Sequence, residues 1–256
     1  MKYIALPALA ASLLVTSAIA ADLPRRNAAI APAPVYAVPV FTWTGFYIGG
    51  QAGYVWGSDQ IREAVTATGV PTGINRNLSP SGFAGGLHAG YNYQINQLVL
   101  GVEGDLEATS VKRRVAGYPV VATASVNTKE QWQGSIRARV GYAFDRVMIY
   151  GTGGVAFADW KHTYTDTAVP FARTFSSTRT GWTLGAGLEY AITNNWTARA
   201  EYRYTDFGRS TDVLPAAGAG AFTGFSYRHR ENESAVRIGV SYLFNSGRSG
   251  SVVAKY

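Results

Sequence analysis

Cysteine is missing altogether from the 256 residues, and histidine (3) and methionine (2) are nearly so. Without thiols there is no disulfide framework and no thiolate metal site, so stability has to come from the fold itself. Charge is also scarce. Only 15% of residues are ionisable acids or bases, against roughly 25% in an ordinary soluble domain. After the first twenty residues no stretch holds 18 consecutive apolar residues, and the mean hydropathy is -0.02, which together exclude a bundle of membrane-spanning helices.

What is present is glycine (29), tyrosine (16) and an unusual opening. MKYIALPALAASLLVTSAIA has one Lys2, an apolar run from Ile4, and the small-x-small end Ala18-Ile19-Ala20 that signal peptidase accepts. Residues 1–20 are therefore expected to be a secretory signal, cut before Ala21. Residues 21–42 follow as a Pro/Ala-rich periplasmic linker, because each proline fixes φ and denies the backbone a donor.

From Trp43 onward the dominant signal is alternation with period two. In LVLGVEGDLEAT (98–109), Glu103, Asp105 and Glu107 fall on one face, with Leu100, Val102 and Leu106 on the other. WQGSIRARVGYAF sets Ile136, Val140 and Tyr142 against Arg137 and Arg139, and GWTLGAGLEYAI sets Leu184 and Leu188 against Glu189. NWTARAEYRYT carries Arg199, Glu201 and Arg203 on its polar face, and SAVRIGVSYLF carries Arg237. Eight such segments are legible between 43 and 244. Short connections near Asn96-Gln97, Asp145-Arg146 and Thr193-Asn194-Asn195 alternate with long ones over 58–80, 111–129, 159–179 and 206–231. Tight turns at one end and long loops at the other predict an all-β, eight-stranded antiparallel up-and-down transmembrane barrel, with residues 245–256 as a tail or barrel end.

The charges then sort by face. Glu103, Asp105, Glu107, Glu189 and Glu201 oppose Arg137, Arg139, Arg199, Arg203 and Arg237 on the inward face, five against five. An eight-stranded barrel is just wide enough for side chains to fill, so these groups are expected to neutralise one another in a lumen ion-pair network. Aromatics agree. Trp56, Phe83, Trp132, Phe157, Trp182 and Tyr204 fall at the loop ends of strands and Phe46, Tyr93, Tyr142, Phe144, Trp196, Tyr242 and Phe244 at the turn ends, as two interfacial girdles would.

The linker running into FTWTGFYIGGQAGY, together with YGTGGVAFA, NWTARAEYRYTDFG and the closing ENESAVRIGVSYLF, resembles the alphaproteobacterial outer-membrane immunogenic proteins, a porin-family group with OmpA/OmpX-like barrels. The resemblance implies an outer-membrane barrel associated with envelope integrity and surface exposure, with haem binding or adhesion in some members. It carries no residue-level site. Barrels of this kind often finish at a terminal aromatic, yet NSGRSGSVVAKY follows Phe244; either Tyr256 supplies that aromatic or the tail extends into the periplasm.

Gly151-Thr152-Gly153-Gly154-Val155-Ala156 fits a dinucleotide fingerprint only in letters, since FADWKHTYTD shows no helical periodicity for a phosphate-facing helix. His88 points inward and is expected to take no part in lipid chemistry. His162 and His229 are placed in or beside external loops, as solvated side chains or haem ligands. No catalytic, cofactor or metal residues are expected. Lys112, Arg113, Arg114, Lys161, Arg173, Arg209, Arg228 and Arg230 are candidates for contact with lipopolysaccharide phosphates, and the loops for host or cell-surface ligands. Nucleic acid is excluded by export and by the lack of a binding motif. The functional expectation is an envelope-integrity and surface-interaction barrel with a filled lumen. The alternatives are a narrow porin-like channel and a surface haem-binding or adhesion protein.

Overall fold

The computed structural model describes residues 41–117, 121–215 and 217–244. The expected signal, nearly all of the linker and the tail from 245 lie outside them. Strands β1 (Gly45–Val65), β2 (Pro71–Leu78), β3 (Ser81–Ile95), β4 (Leu98–Thr109), β5 (Lys112–Ala116), β6 (Ala124–Phe144), β7 (Val147–Asp166), β8 (Phe171–Ala191), β9 (Trp196–Val213) and β10 (Phe225–Phe244) are all antiparallel to their partners. Eight of them close a ring in the order β1-β10-β9-β8-β7-β6-β4-β3, sealed where Phe46 faces both Phe244 and Tyr91. Closure removes every edge strand at the level of the ring, so each backbone donor there finds a neighbour.

The expectation of long external loops is corrected here. β2 pairs only with β1, β5 pairs chiefly with β6, and β7, β8, β9 and β10 run on well past the aromatic positions at their outer ends. Most of residues 58–80, 111–129, 159–179 and 206–231 is paired strand, and outer connections such as 66–70 and 167–170 are short, with 214–224 a longer one. The physical reason is that a ladder needs backbone hydrogen bonds but no apolar outer face once it leaves lipid. Stretches such as YRHRENES alternate polar with polar, so their periodicity escapes a hydrophobic pattern.

Side chains divide as the alternation predicts. Phe46, Ile48, Leu87, Val102, Leu106, Ile136, Leu184 and Ile238 are exposed on the outer wall, while Glu103, Asp105, Glu107, Arg137, Arg139, Arg199, Glu201 and Arg237 are buried in the bore. The apolar wall is bounded below by Phe46, Tyr93, Tyr142, Trp196 and Phe244 and above by Trp56, Phe83, Trp132 and Trp182, all outward. About ten residues separate the two rings along a strand, the number needed to cross a bilayer's hydrocarbon. Tight turns close the lower end, where Asn96 (φ 54) and Asp145 (φ 53) take the left-handed conformation that Asn and Asp tolerate best after Gly.

Both ends of the bore are filled by apolar side chains. At the turn end Phe41, Trp43, Val99, Met148 and Leu243 form a floor, with the Trp43 Nε1–H donating to the Asp145 carbonyl at 3.1 Å. At the outer end Ile61, Leu78, Val126, Tyr164, Leu214 and Tyr227 gather round Phe222, which enters on a short 3-10 turn (Gly220–Phe222). The Asp166 carboxylate holds that turn by accepting the Ala221 N–H at 2.9 Å.

Candidate functional site: the charged bore and the basic outer rim

At the level of the apolar wall the bore holds an ionic lattice. Glu103 on β4 faces Arg137 on β6 in direct register, and their side chains meet at 2.5 Å. Arg137 also reaches Glu201 at 2.7 Å and Asp105 at 3.2 Å. Arg199 contacts Glu103 and Gln51, and Tyr47 donates its hydroxyl to Glu103 at 2.7 Å. Arg203 bridges Asp105 and Glu201, both at 3.1 Å. Below them Arg139 pairs with Glu189 and lies over the Tyr150 ring, 3.8 Å from its centroid. Above them Arg237 forks onto Glu107, its Nε at 2.9 Å and its Nη2 at 2.8 Å. All ten residues named for the lumen thus sit in the bore, each with an opposite charge in reach. Planar guanidinium forks make such multiple bonds where a lysine would supply a point charge.

Glycines make room for this lattice. A Cβ on Gly154 would lie 2.1 Å from the Ile136 carbonyl oxygen and 2.7 Å from the Arg137 Cα. The dinucleotide-like run is therefore plain strand β7, and its glycine serves the close approach of β6.

His88 forms a buried pair with Ser241, 2.7 Å from Nε2 to Oγ, deep inside the wall. Its Nδ1 has no hydrogen-bond partner among the described residues, so no third group orients the ring. The other two histidines are not in solvated loops. His162 and His229 are 1% and 0% exposed, inside the barrel above the upper aromatic ring, with their rings 4.2 Å apart. This corrects the loop placement, and the reason is again the strand extension, which turns residues 162 and 229 inward. Around them lie Asp59, Glu63, Glu130, Arg179, Asp212, Glu231 and Glu233, all buried. The pattern Tyr227-x-His229-x-Glu231-x-Glu233, with Arg228 and Arg230 between, was the available signal. His229 stands beyond the bilayer, and burial disfavours its charged form; the Asp59 carboxylate outweighs that and holds its pKa above the ordinary value.

The outer rim is basic on its exterior. Lys112 faces Lys129, and Lys129 faces Lys161, in one row across β5, β6 and β7. On the other side Arg62 faces Arg228 and Arg209 faces Arg230, and these four with Gln60 line a shallow recess. Arg113, Arg114 and Arg173 are exposed, with Arg173 stacked near Phe175. Lys129 and Arg62 add to the basic residues expected there from the sequence.

Residues 8–244 match the family model described as an outer membrane protein beta-barrel domain. The chain is 37% identical to the 31 kDa outer-membrane immunogenic protein of Brucella melitensis biotype 1, covering 95% of this chain and all of the relative. It is 37% identical to the 22 kDa outer membrane protein of Rhizobium leguminosarum bv. viciae, over 80% of each. The crystal structure of OprG from Pseudomonas aeruginosa superposes with a TM-score of 0.54 at 16% identity, covering 78% of this chain and 96% of that one, a likeness of fold.

Proposed function

The chain belongs to the outer membrane protein β-barrel family and to the outer membrane, and from that premise we propose that it is a closed barrel that anchors and orders the envelope rather than a pore or an enzyme. The observation that carries this reading is the lattice around Arg137, Glu103 and Glu201, stacked between the Trp43 floor and the Phe222 cap. Such a filling opposes a continuous water path for solutes, and the buried His88–Ser241 pair lacks a third group to orient it among the described residues.

The basic rim supplies the surface role. Like charges directly opposite in a ladder repel, so the rows Lys112, Lys129, Lys161 and Arg62, Arg228 stand at a cost unless an anion lies between them. Phosphate and carboxylate groups of lipopolysaccharide, just above the upper aromatic ring, meet that requirement. Contacts with host or cell-surface ligands fall to the exposed outer tips in the same reading.

Planar-bilayer recording on the folded chain is the direct test. Silence supports the closed barrel, and steady openings would return the narrow channel. For the rim, replacing Arg62 and Arg228 together by Ser should weaken lipopolysaccharide retention in native mass spectrometry while leaving the heat-modifiable gel shift intact.

A further inference from the structure

Four buried side chains converge in the upper bore: Asp59 from β1, His162 from β7, and His229 and Glu231 from β10. One nitrogen or oxygen from each lies within 4.8 Å of the others. His162 Nε2 is 3.0 Å from Glu231 Oε1, and His229 Nδ1 is 3.0 Å from Asp59 Oδ2. These spacings are close to the roughly 3.3 Å edge of a tetrahedron built on bonds of about 2.0–2.1 Å.

We propose that Asp59, His162, His229 and Glu231 form a binding site for a divalent first-row transition-metal ion, closed over by the Phe222 cap.

Three further features fit a metal centre. Glu231 is buried with His162 Nε2 against its Oε1 as its one close polar neighbour among the described residues, and Arg179 approaches the carboxylate only to 3.6 Å. The far nitrogen of each imidazole is already engaged, which holds the ring orientation as metal sites require. His162 Nδ1 meets the Thr128 hydroxyl at 3.2 Å, and His229 Nε2 meets the Tyr164 hydroxyl at 2.9 Å, which in turn donates to Asp212 at 3.0 Å. Charge also balances, since two carboxylates and two neutral imidazoles carry a formal charge that one divalent ion cancels. Two nitrogens and two oxygens of this kind suit Zn2+ and its neighbours in the first row better than Ca2+ or Mg2+. Without the ion the same four groups rest as two His–carboxylate pairs, so protons and metal compete, and binding should tighten as pH rises.

The test uses the full chain, untagged, folded in detergent micelles, stripped with a chelator and titrated with Zn2+ alone. One ion per chain is expected. His162→Ala and His229→Ala should each weaken binding by more than about 100-fold and Tyr164→Phe by about tenfold, the scale of outer-shell losses. His88→Ala, outside the cluster, should bind like the parent. Because a bore variant can fail to fold, Co2+ is added to the unmodified chain as well, where intense visible bands of a near-tetrahedral centre are expected. A parent chain that binds no Zn2+ and stays colourless with Co2+ overturns the proposal. Binding that survives both histidine replacements in variants that keep the heat-modifiable gel shift overturns it too.

Discussion

Two regions of one bore, stacked on the same strands, solve the burial of charge differently. At the height of the lipid-facing wall, Glu103, Asp105, Glu107, Glu189 and Glu201 are matched by five arginines, and each guanidinium serves one or more carboxylates. In the extension above it, Asp59, Glu63, Glu130, Asp212, Glu231 and Glu233 are buried with Arg179 among them and Arg237 reaching Glu130 and Glu233 from below, helped by two histidines and by hydroxyls. Tyr227 donates to Glu63 at 2.9 Å and Thr72 donates to it at 2.8 Å. The lower lattice matches five acids with five arginines, each acid within reach of a guanidinium. The upper one depends on protons or a cation for its neutrality. A charge-matched plug and an acid-rich chamber thus follow from one difference, the ratio of arginine to acid.

The largest expected effect comes from breaking the lower lattice. Arg137→Ala removes the guanidinium shared by Glu103, Asp105 and Glu201, leaves the lattice one positive charge short, and should cost about 3–5 kcal/mol, read by urea unfolding in detergent micelles. A loss under about 1 kcal/mol would show that water already screens the lattice, and the closed-barrel reading would weaken with it. Trp43→Ala opens the floor beneath the same lattice. A large-to-small change of this kind should cost about 3 kcal/mol or more in the same assay.

The upper chamber should show a pH signature of its histidine. The pKa of His229 is raised on folding, so the stabilisation it brings is fully present below the ordinary imidazole value and lost as pH rises through the folded one. In metal-free samples the stability gap between the parent and His229→Gln should therefore be widest near about pH 6 and close toward alkaline pH. A gap that widens with pH instead would mean that His229 is buried neutral. Smallest in size is Tyr164→Phe, which removes the hydroxyl between His229 and Asp212 and should cost about 1 kcal/mol by the same unfolding assay.

Legibility followed the same division between regions. In the lower bore, alternation of Leu, Ile and Val with Arg and Glu exposed strands, faces and the ten ionic residues together, because lipid demands an apolar outer wall and so writes the period into the sequence. Above the aromatic ring the outer face meets water, and Arg228, Arg230 and Asn232 there look no different from a loop. His229 is consequently placed in or beside an external loop by the sequence, and β2 and β5 are hidden in the same way.

The sequence alone determined the barrel, its strand number at the wall and the sorting of Arg and Glu to its interior, since each is enforced by the period-two contact of side chains with lipid or with lumen. Only the tertiary structure decided that Asp59, His162, His229 and Glu231 meet, and that Trp43 and Phe222 close the two ends. Those contacts join residues separated by tens to well over a hundred positions, and they are set by strand register and ring closure, which no local pattern encodes.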